Sequence, residues 1–292
     1  MKPYSKDGKA FAMPVFFGPT WCQQQPWDGG KGMADHYQPG DVHVIGITYE
    51  TDEEILKQYI PDCYTLNAPQ ITVLVCEFLH LGWMDGRGYN LINVNCPVHF
   101  KGERDDLDGD LVLCMFEDNA DPIIGGREML GYSKLFCDIP AVRHNENRYV
   151  ATASAYDFQF MKLEIDTSKP AADVAKATAW EKKSAGKMHY KYFPDSMEKG
   201  EDPKTNFTKA GISYPVILPK WEKPDDYPYE LRTPEITWCD GTIQFNEPTW
   251  YDWPTNGYVG KGLASLPVKK VLAARQFVYD EPCEYAADYR LR

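Results

Sequence analysis

What most constrains this chain is a succession of short apolar runs, each the length of a strand and each closed by a turn signal. From Pro69 onward they read ITVLVCEFLHLGWM, LINVNCPVHF, LVLCMFE, YVATASAYDFQFMKLEI, YPVILP and EITWCDGTIQF. The segments DGRG, KGERDDLDGD and CDGT lie between them, and Gly/Asp clusters of this kind reverse the chain between strands. A further strand is predicted over residues 43–49, leading into a helix over 52–59. Thr51 stands as its N-cap with Glu54 at capping-box spacing, and Pro61 ends it. Helical periodicity is otherwise confined to residues 127–135 and 171–185. About ten strands with so few helices give an α+β, β-rich fold, a sandwich or barrel with helices packed outside.

The 292 residues show no internal repeat and no linker, so a single domain over residues 1–292 is expected. Residues 1–40, rich in Gly, Pro, Gln and Trp, read as an irregular N-terminal wrap. A net charge of -12 argues against nucleic acid as a partner, because phosphate binding needs a basic surface. No apolar run approaches membrane-spanning length and MKPYSKDGKAF has no apolar signal core, so no membrane partner and a cytoplasmic location are expected. The eight Cys form no CxxC pair and the six His no HExxH or HxH spacing. They read as reduced thiols and dispersed imidazoles, and no metal site is proposed.

Chemistry concentrates in EDNADPIIGGREMLGYSKLFCDIP, residues 117–140. Lys134 stands alone between Tyr132 and the apolar LFC run, with Gly125, Gly126 and Gly131 allowing sharp bends just before it. A lysine drawn into a dry pocket loses ammonium stability, and its free amine becomes a nucleophile. The bland alternative is a surface lysine laying its stem over apolar neighbours.

GREMLGYSKLF resembles the segment of the acetoacetate decarboxylase family in which Gly-Arg-Glu precedes an aromatic-Pro-Lys-Lys. Collinear similarities flank it: AMPVFFGP, ITYETDEEILKQYIP, CPVHFKGERDDLDGD, EDNADPIIGGRE, RYVATASAYDF and LASLPVKKVLAARQFVYD. The resemblance implies an antiparallel β-barrel or cone with a few outer helices, assembled as a homo-oligomer. It implies Schiff-base chemistry on a small keto acid without a cofactor, with Lys134 as the amine. Activation of that lysine by apolar surroundings or a neighbouring cation is the account given for acetoacetate decarboxylase itself, and it comes with the resemblance.

The chain departs from the family pattern at several positions. The second lysine is Leu135 and the preceding proline is Ser133. The hairpin glutamate falls on Leu91, and the first-strand arginine falls on Val42 or His43. Glu77 lies one residue out of register with a further family carboxylate. Candidate partners of Lys134 are Glu128 for proton transfer, or for pairing with Arg127, and Tyr89 for hydrogen bonding to substrate. Arg127, Tyr132, Leu91 and Phe17 are candidate substrate contacts. A helical reading of this segment puts Tyr132 on a different face from Lys134, as a wall. Decarboxylation is the leading expectation. A pyruvate aldolase-dehydratase type of C–C bond formation is the enzymatic alternative, and a barrel that only binds a small hydrophobic ligand is the non-enzymatic one.

Overall fold

The computed structural model describes residues 5–6, 9–10, 38–202, 209–282 and 288–292. The expected N-terminal wrap and the candidate contact Phe17 lie outside the described residues, apart from a two-strand hairpin of β1 (Ser5–Lys6) and β2 (Lys9–Ala10). The remaining strands form one sheet. They are β3 (Gly40–Glu50), β4 (Tyr64–Leu66), β5 (Gln70–Leu81), β6 (Arg87–Lys101), β7 (Asp106–Glu117), β8 (Lys134–Phe136) and β9 (Arg143–Asn145), then β10 (Arg148–Ala155), β11 (Phe158–Asp166), β12 (Gly186–Pro194), β13 (Ala210–Pro219), β14 (Thr237–Phe245), β15 (Lys270–Glu281) and β16 (Tyr289–Arg290). Among the described residues, four short α-helices accompany them: α1 (Glu53–Lys57), α2 (Ala120–Gly125), α3 (Val174–Thr178) and α4 (Gly257–Ala264).

The sheet runs in the order β16-β13-β12-β7-β6-β5-β3-β15-β14-β11-β10-β9, with β4 against β6 and β8 against β7. The β-rich α+β class is as the apolar runs require, and the sheet is cone-like without closing. Neighbours are antiparallel except β7 with β8 and β7 with β12, which are parallel. Register shifts at Phe78/Leu81, Val94/Asn95 and Val271/Ala273 mark bulges, and bulges bend the strands that carry them.

The helices are shorter than the periodicity predicts. Asp52 rather than Thr51 caps α1, its carboxylate accepting from the Glu54 and Ile55 amides at 3.0 and 3.2 Å. Only residues 174–178 of the predicted 171–185 helix form, since Ala177 and Val174 have little beyond Leu272 and Ala273 to bury against. Of the third predicted helix, only the first part forms: α2 runs on into a wide π-helical turn over Gly126–Leu130, and strand β8 follows in place of the rest. Gly131 at φ 88° ends that turn, and the free flank of β7 captures the chain as a strand.

Strands β3, β5, β6 and β7 are buried on both faces, which is why their sequences read as almost continuous apolar runs. One face carries Ile45, Ile47, Val73, Val75, Ile92, Val94 and Phe116, packed with Phe160 and Trp253 in the larger core. Burying each such side chain contributes roughly 1.5–3 kcal/mol. The alternate residues Val42, Val44, Cys76, Phe78, Tyr89, Leu91 and Met115 form a second apolar cluster on the opposite face. Lys134 lies on that second face. All six described cysteines are free thiols. No helix among the described residues is long and apolar enough to cross a membrane.

Candidate active site

The site is built by the chain reversal between β7 and β8. Asn119 caps α2 by accepting from the Asp121 amide, and Pro122 sits in the first turn, where its missing N–H removes no helical bond. Past Gly131, the Ser133 carbonyl accepts from the Met115 amide at 3.0 Å and starts the parallel ladder. Met115 is then registered with Lys134 and Glu117 with Phe136. Side chains alternate along a strand, so Met115, Glu117 and Lys134 share a face while Leu135 packs toward the larger core.

Lys134 is buried, and its Nζ donates to Glu117 Oε1 at 2.7 Å and to the Pro122 carbonyl at 2.9 Å. Glu117 has no exposed surface, and its Oε2 has no hydrogen-bond partner among the described residues. Burial pushes the Lys134 ammonium below its ordinary range, and Glu117 draws it partly back. Burial likewise pushes the Glu117 carboxyl up, against the pull of Lys134. Both directions favour moving the shared proton from nitrogen to oxygen, leaving a free amine beside a carboxylic acid. Two glycines make room. A Cβ on Gly126 would lie 2.5 Å from Lys134 Cε, and one on Gly131 would lie 2.6 Å from Lys191 Cβ.

Register explains where the carboxylate comes from. Phe277, Val44, Cys76, Leu91 and Glu117 form one cross-strand row, each directly opposite the next. Leu91, which the resemblance expects to be a glutamate, therefore faces Glu117 on the neighbouring strand, with Cβ atoms about 4.5–5.5 Å apart for such a pair. A carboxylate thus stands opposite the position at which the resemblance expects one. Sequence reasoning passed over it because Glu117 reads as the polar end of LVLCMFE. Its period-2 phase with Met115 was the available signal.

Other expected residues separate into those inside and those outside. Leu91, Tyr89 and Tyr132 share the apolar cluster on the Lys134 face. Tyr132 lies 5.6 Å from Lys134 Nζ to its ring centre, because the chain leaves the helix at Gly131 and leads into strand β8 instead of continuing as a helix. Tyr89 stacks on Phe78 with centroids 4.8 Å apart. Arg127 is not part of that cluster: its guanidinium donates to the Lys134 carbonyl at 3.0 Å, and it lines a cavity of about 330 Å³ with Ser133, Leu135 and Tyr258. Glu128 is half-buried, stands within the wide turn, and pairs with neither Arg127 nor Lys134 among the described residues. Glu77 accepts from the Val142 amide at 2.8 Å and holds a loop.

Two further groups near the lysine were not read from sequence. His189 packs its ring 4.1 Å from that of Tyr132, and burial pushes its pKa down to about 4. Lys191 donates to the Met129 carbonyl at 2.6 Å and steadies the wide turn. Among the described residues, no group of three or more His, Cys, Asp or Glu could hold a metal ion.

A strand-built open cone with a buried lysine–carboxylate pair on its second face defines an α+β class with an interior amine site. The family is settled by comparison: the acetoacetate decarboxylase family model matches residues 12–288, and the chain belongs to that family. Acetoacetate decarboxylase 1 of Mesorhizobium japonicum is 29% identical over 173 residues, which is 59% of this chain. The chain spans about 62% of the length of that curated relative. An acetoacetate decarboxylase-like enzyme from Sphingomonas wittichii RW1 has a similar fold, with TM-score 0.62, 16% identity, and coverage of 88% of this chain and 94% of the other. The enduracididine biosynthesis enzyme MppR, solved with pyruvate, has TM-score 0.59 at 13% identity, covering 87% of this chain and 91% of its own.

Proposed function

We propose that this chain is a Schiff-base-forming carbon–carbon lyase acting on a small keto acid, with Lys134 as the amine and Glu117 as the group that moves its proton. The carrying observation is the 2.7 Å contact between two buried groups whose shifts both favour the neutral pair. In this reading Glu117 takes the ammonium proton, and the free amine adds to the keto carbonyl. The carbinolamine loses its hydroxyl as water with the proton Glu117 returns, leaving an iminium on Lys134.

From a β-keto acid, the bond to the carboxylate then breaks and CO₂ leaves. Its electron pair flows to the iminium nitrogen, giving an enamine. Protonation at carbon and hydrolysis release the ketone and restore the amine. The iminium is itself the electron sink, so the scheme calls for no cofactor. Arg127 and the Pro122 carbonyl position the lysine rather than react.

The same iminium supports removal of a carbon-bound proton, and hence aldol addition followed by dehydration. The likeness in fold to a pyruvate-bound enzyme keeps this second reading in view.

Borohydride trapping tests the amine. Incubation with acetoacetate or pyruvate should add one reduced adduct at Lys134, seen by peptide mass spectrometry and lost in Lys134→Ala. An adduct that persists in Lys134→Ala would end the proposal. CO₂ release from acetoacetate separates the two reactions.

A further inference from the structure

The cavity of about 330 Å³ that Arg127 lines lies on the side of β8 away from the Lys134 amine. Local structure accounts for its walls. In β7, Cys114 pairs with Val94 and Val112 with Asn95, so Leu113 is an extra residue in the strand. The bulge turns Leu113 and Cys114 toward the larger core, while Val112 and Met115 on either side join the opposite cluster. Ser133 and Leu135 flank Lys134 and therefore point away from its face. Ser133 Oγ donates to the Leu113 carbonyl at 3.2 Å and ties the bulge to β8. Across from them stand Val259, Gly262, Leu263 and Leu266, whose spacing makes one face of α4 and the turn after it. Tyr59, just past α1, closes one side with its hydroxyl 3.0 Å from Ser265 Oγ.

The charge of this lining is simple. Among the described residues it holds one cation, Arg127, and no carboxylate. The resemblance places a second lysine at 135, and leucine there makes that wall apolar. Arg127 forms no ion pair among the described residues, and its bond to the Lys134 carbonyl uses one of five N–H donors. A guanidinium with donors to spare favours a carboxylate, which it can grip with two parallel bonds. Pockets that hold small molecules combine apolar walls with a few placed polar groups and start at about 300 Å³.

We propose that this cavity is a second binding site, for a small amphipathic monocarboxylate. The carboxylate lies on Arg127, and its aliphatic chain runs along Leu113, Leu135 and the α4 face. The site is separate from the Lys134 amine, and it stands whether or not that amine forms an imine. A cationic head group is repelled by Arg127, and a neutral one forgoes the charge-assisted bonds.

The test is calorimetric titration of the full chain with octanoate, 1-octanol and octylamine. Octanoate is expected to bind at one equivalent, at least tenfold more tightly than octanol, with octylamine not binding. Shortening octanoate to hexanoate should weaken binding about fourfold per methylene removed. In Arg127→Gln the ratio of octanol to octanoate dissociation constants should fall toward one, whatever the overall change in affinity. Gly262→Leu extends a side chain into the cavity from a helical position that leucine suits better than glycine. A Cβ there meets only the Tyr59 ring, at 3.3 Å, so the variant should fold, as urea denaturation checks, and bind octanoate at least tenfold more weakly. Failure of octanoate to bind, equal binding of octanol or octylamine, or full affinity in folded Gly262→Leu overturns the proposal. Self-association in sedimentation that Gly262→Leu abolishes, with no octanoate bound, gives the cavity to a second copy of the chain and overturns it too. None of these results touches the borohydride adduct at Lys134, so the Schiff-base reading stands or falls separately.

Discussion

Replacing Glu117 by Gln probes the buried pair most directly, because it changes how many protons the folded protein binds. In the wild type the pair holds one proton at neutral pH, whether nitrogen or oxygen carries it. The unfolded chain holds one as well, on the lysine, so this pair gives stability no pH slope there. In Glu117→Gln the carboxylate that drew the ammonium pKa back up is gone, and burial alone acts on Lys134. The folded state then carries a neutral amine where the unfolded state still carries an ammonium. Stability relative to wild type must rise with pH between the lowered folded pKa and the ordinary lysine value of 10.5. The slope approaches about 1.4 kcal/mol per pH unit, or about 3 kcal/mol over two units. On the acid side of that window the variant should be less stable than wild type by roughly 3–5 kcal/mol, the usual effect of stranding one member of a buried ion pair. The double variant Glu117→Leu/Lys134→Met should show no slope and recover most of that loss. Urea denaturation of the three proteins from pH 6 to 9.5 measures all of this, with other titrating groups cancelling in the differences. A flat difference curve for Glu117→Gln would mean that Lys134 keeps its proton without Glu117, and the desolvation argument would be wrong.

Gly126→Ala places a Cβ 2.5 Å from Lys134 Cε and 2.6 Å from Nζ, so the amine must shift by roughly an ångström. Stability should fall by about 1–3 kcal/mol and the borohydride labelling rate by about a hundredfold; labelling within threefold of wild type would show that the amine's position is not critical. His189, with its pKa depressed from 6.5 to about 4, stays neutral in the folded state where the unfolded state takes up a proton. Stability should therefore drop as pH falls from 6.5 toward 4, by about 3 kcal/mol in all, and His189→Phe should remove that part of the acid sensitivity in denaturation curves. Arg127→Met deletes the donor to the Lys134 carbonyl. A stability loss of about 1 kcal/mol and slower labelling are expected, with partial recovery in Arg127→Lys; unchanged labelling would reduce Arg127 to a surface residue.

The sequence by itself determined a good deal. Apolar runs separated by Gly/Asp turns imposed a strand-built α+β fold, since runs of that length bounded by turns suit strands buried on both faces and are too short for buried helices. Collinear motifs around GREMLGYSK singled out Lys134, and the structure buries it. Three things were decided only by tertiary structure. The segment after Gly131 looked helical from its local pattern, yet it is a strand because β7 offered a free flank, and that change brought Tyr132 beside the lysine. Glu128, nearer in sequence, sits in the wide turn and makes no pair with Lys134 among the described residues. Glu117 became the partner of Lys134 through the parallel register of β8 on β7 and the antiparallel register that sets it opposite Leu91. Register is a property of paired strands. No single strand records which neighbour will stand opposite it, so a carboxylate supplied by the adjacent strand is not legible as a partner of Lys134 in the sequence.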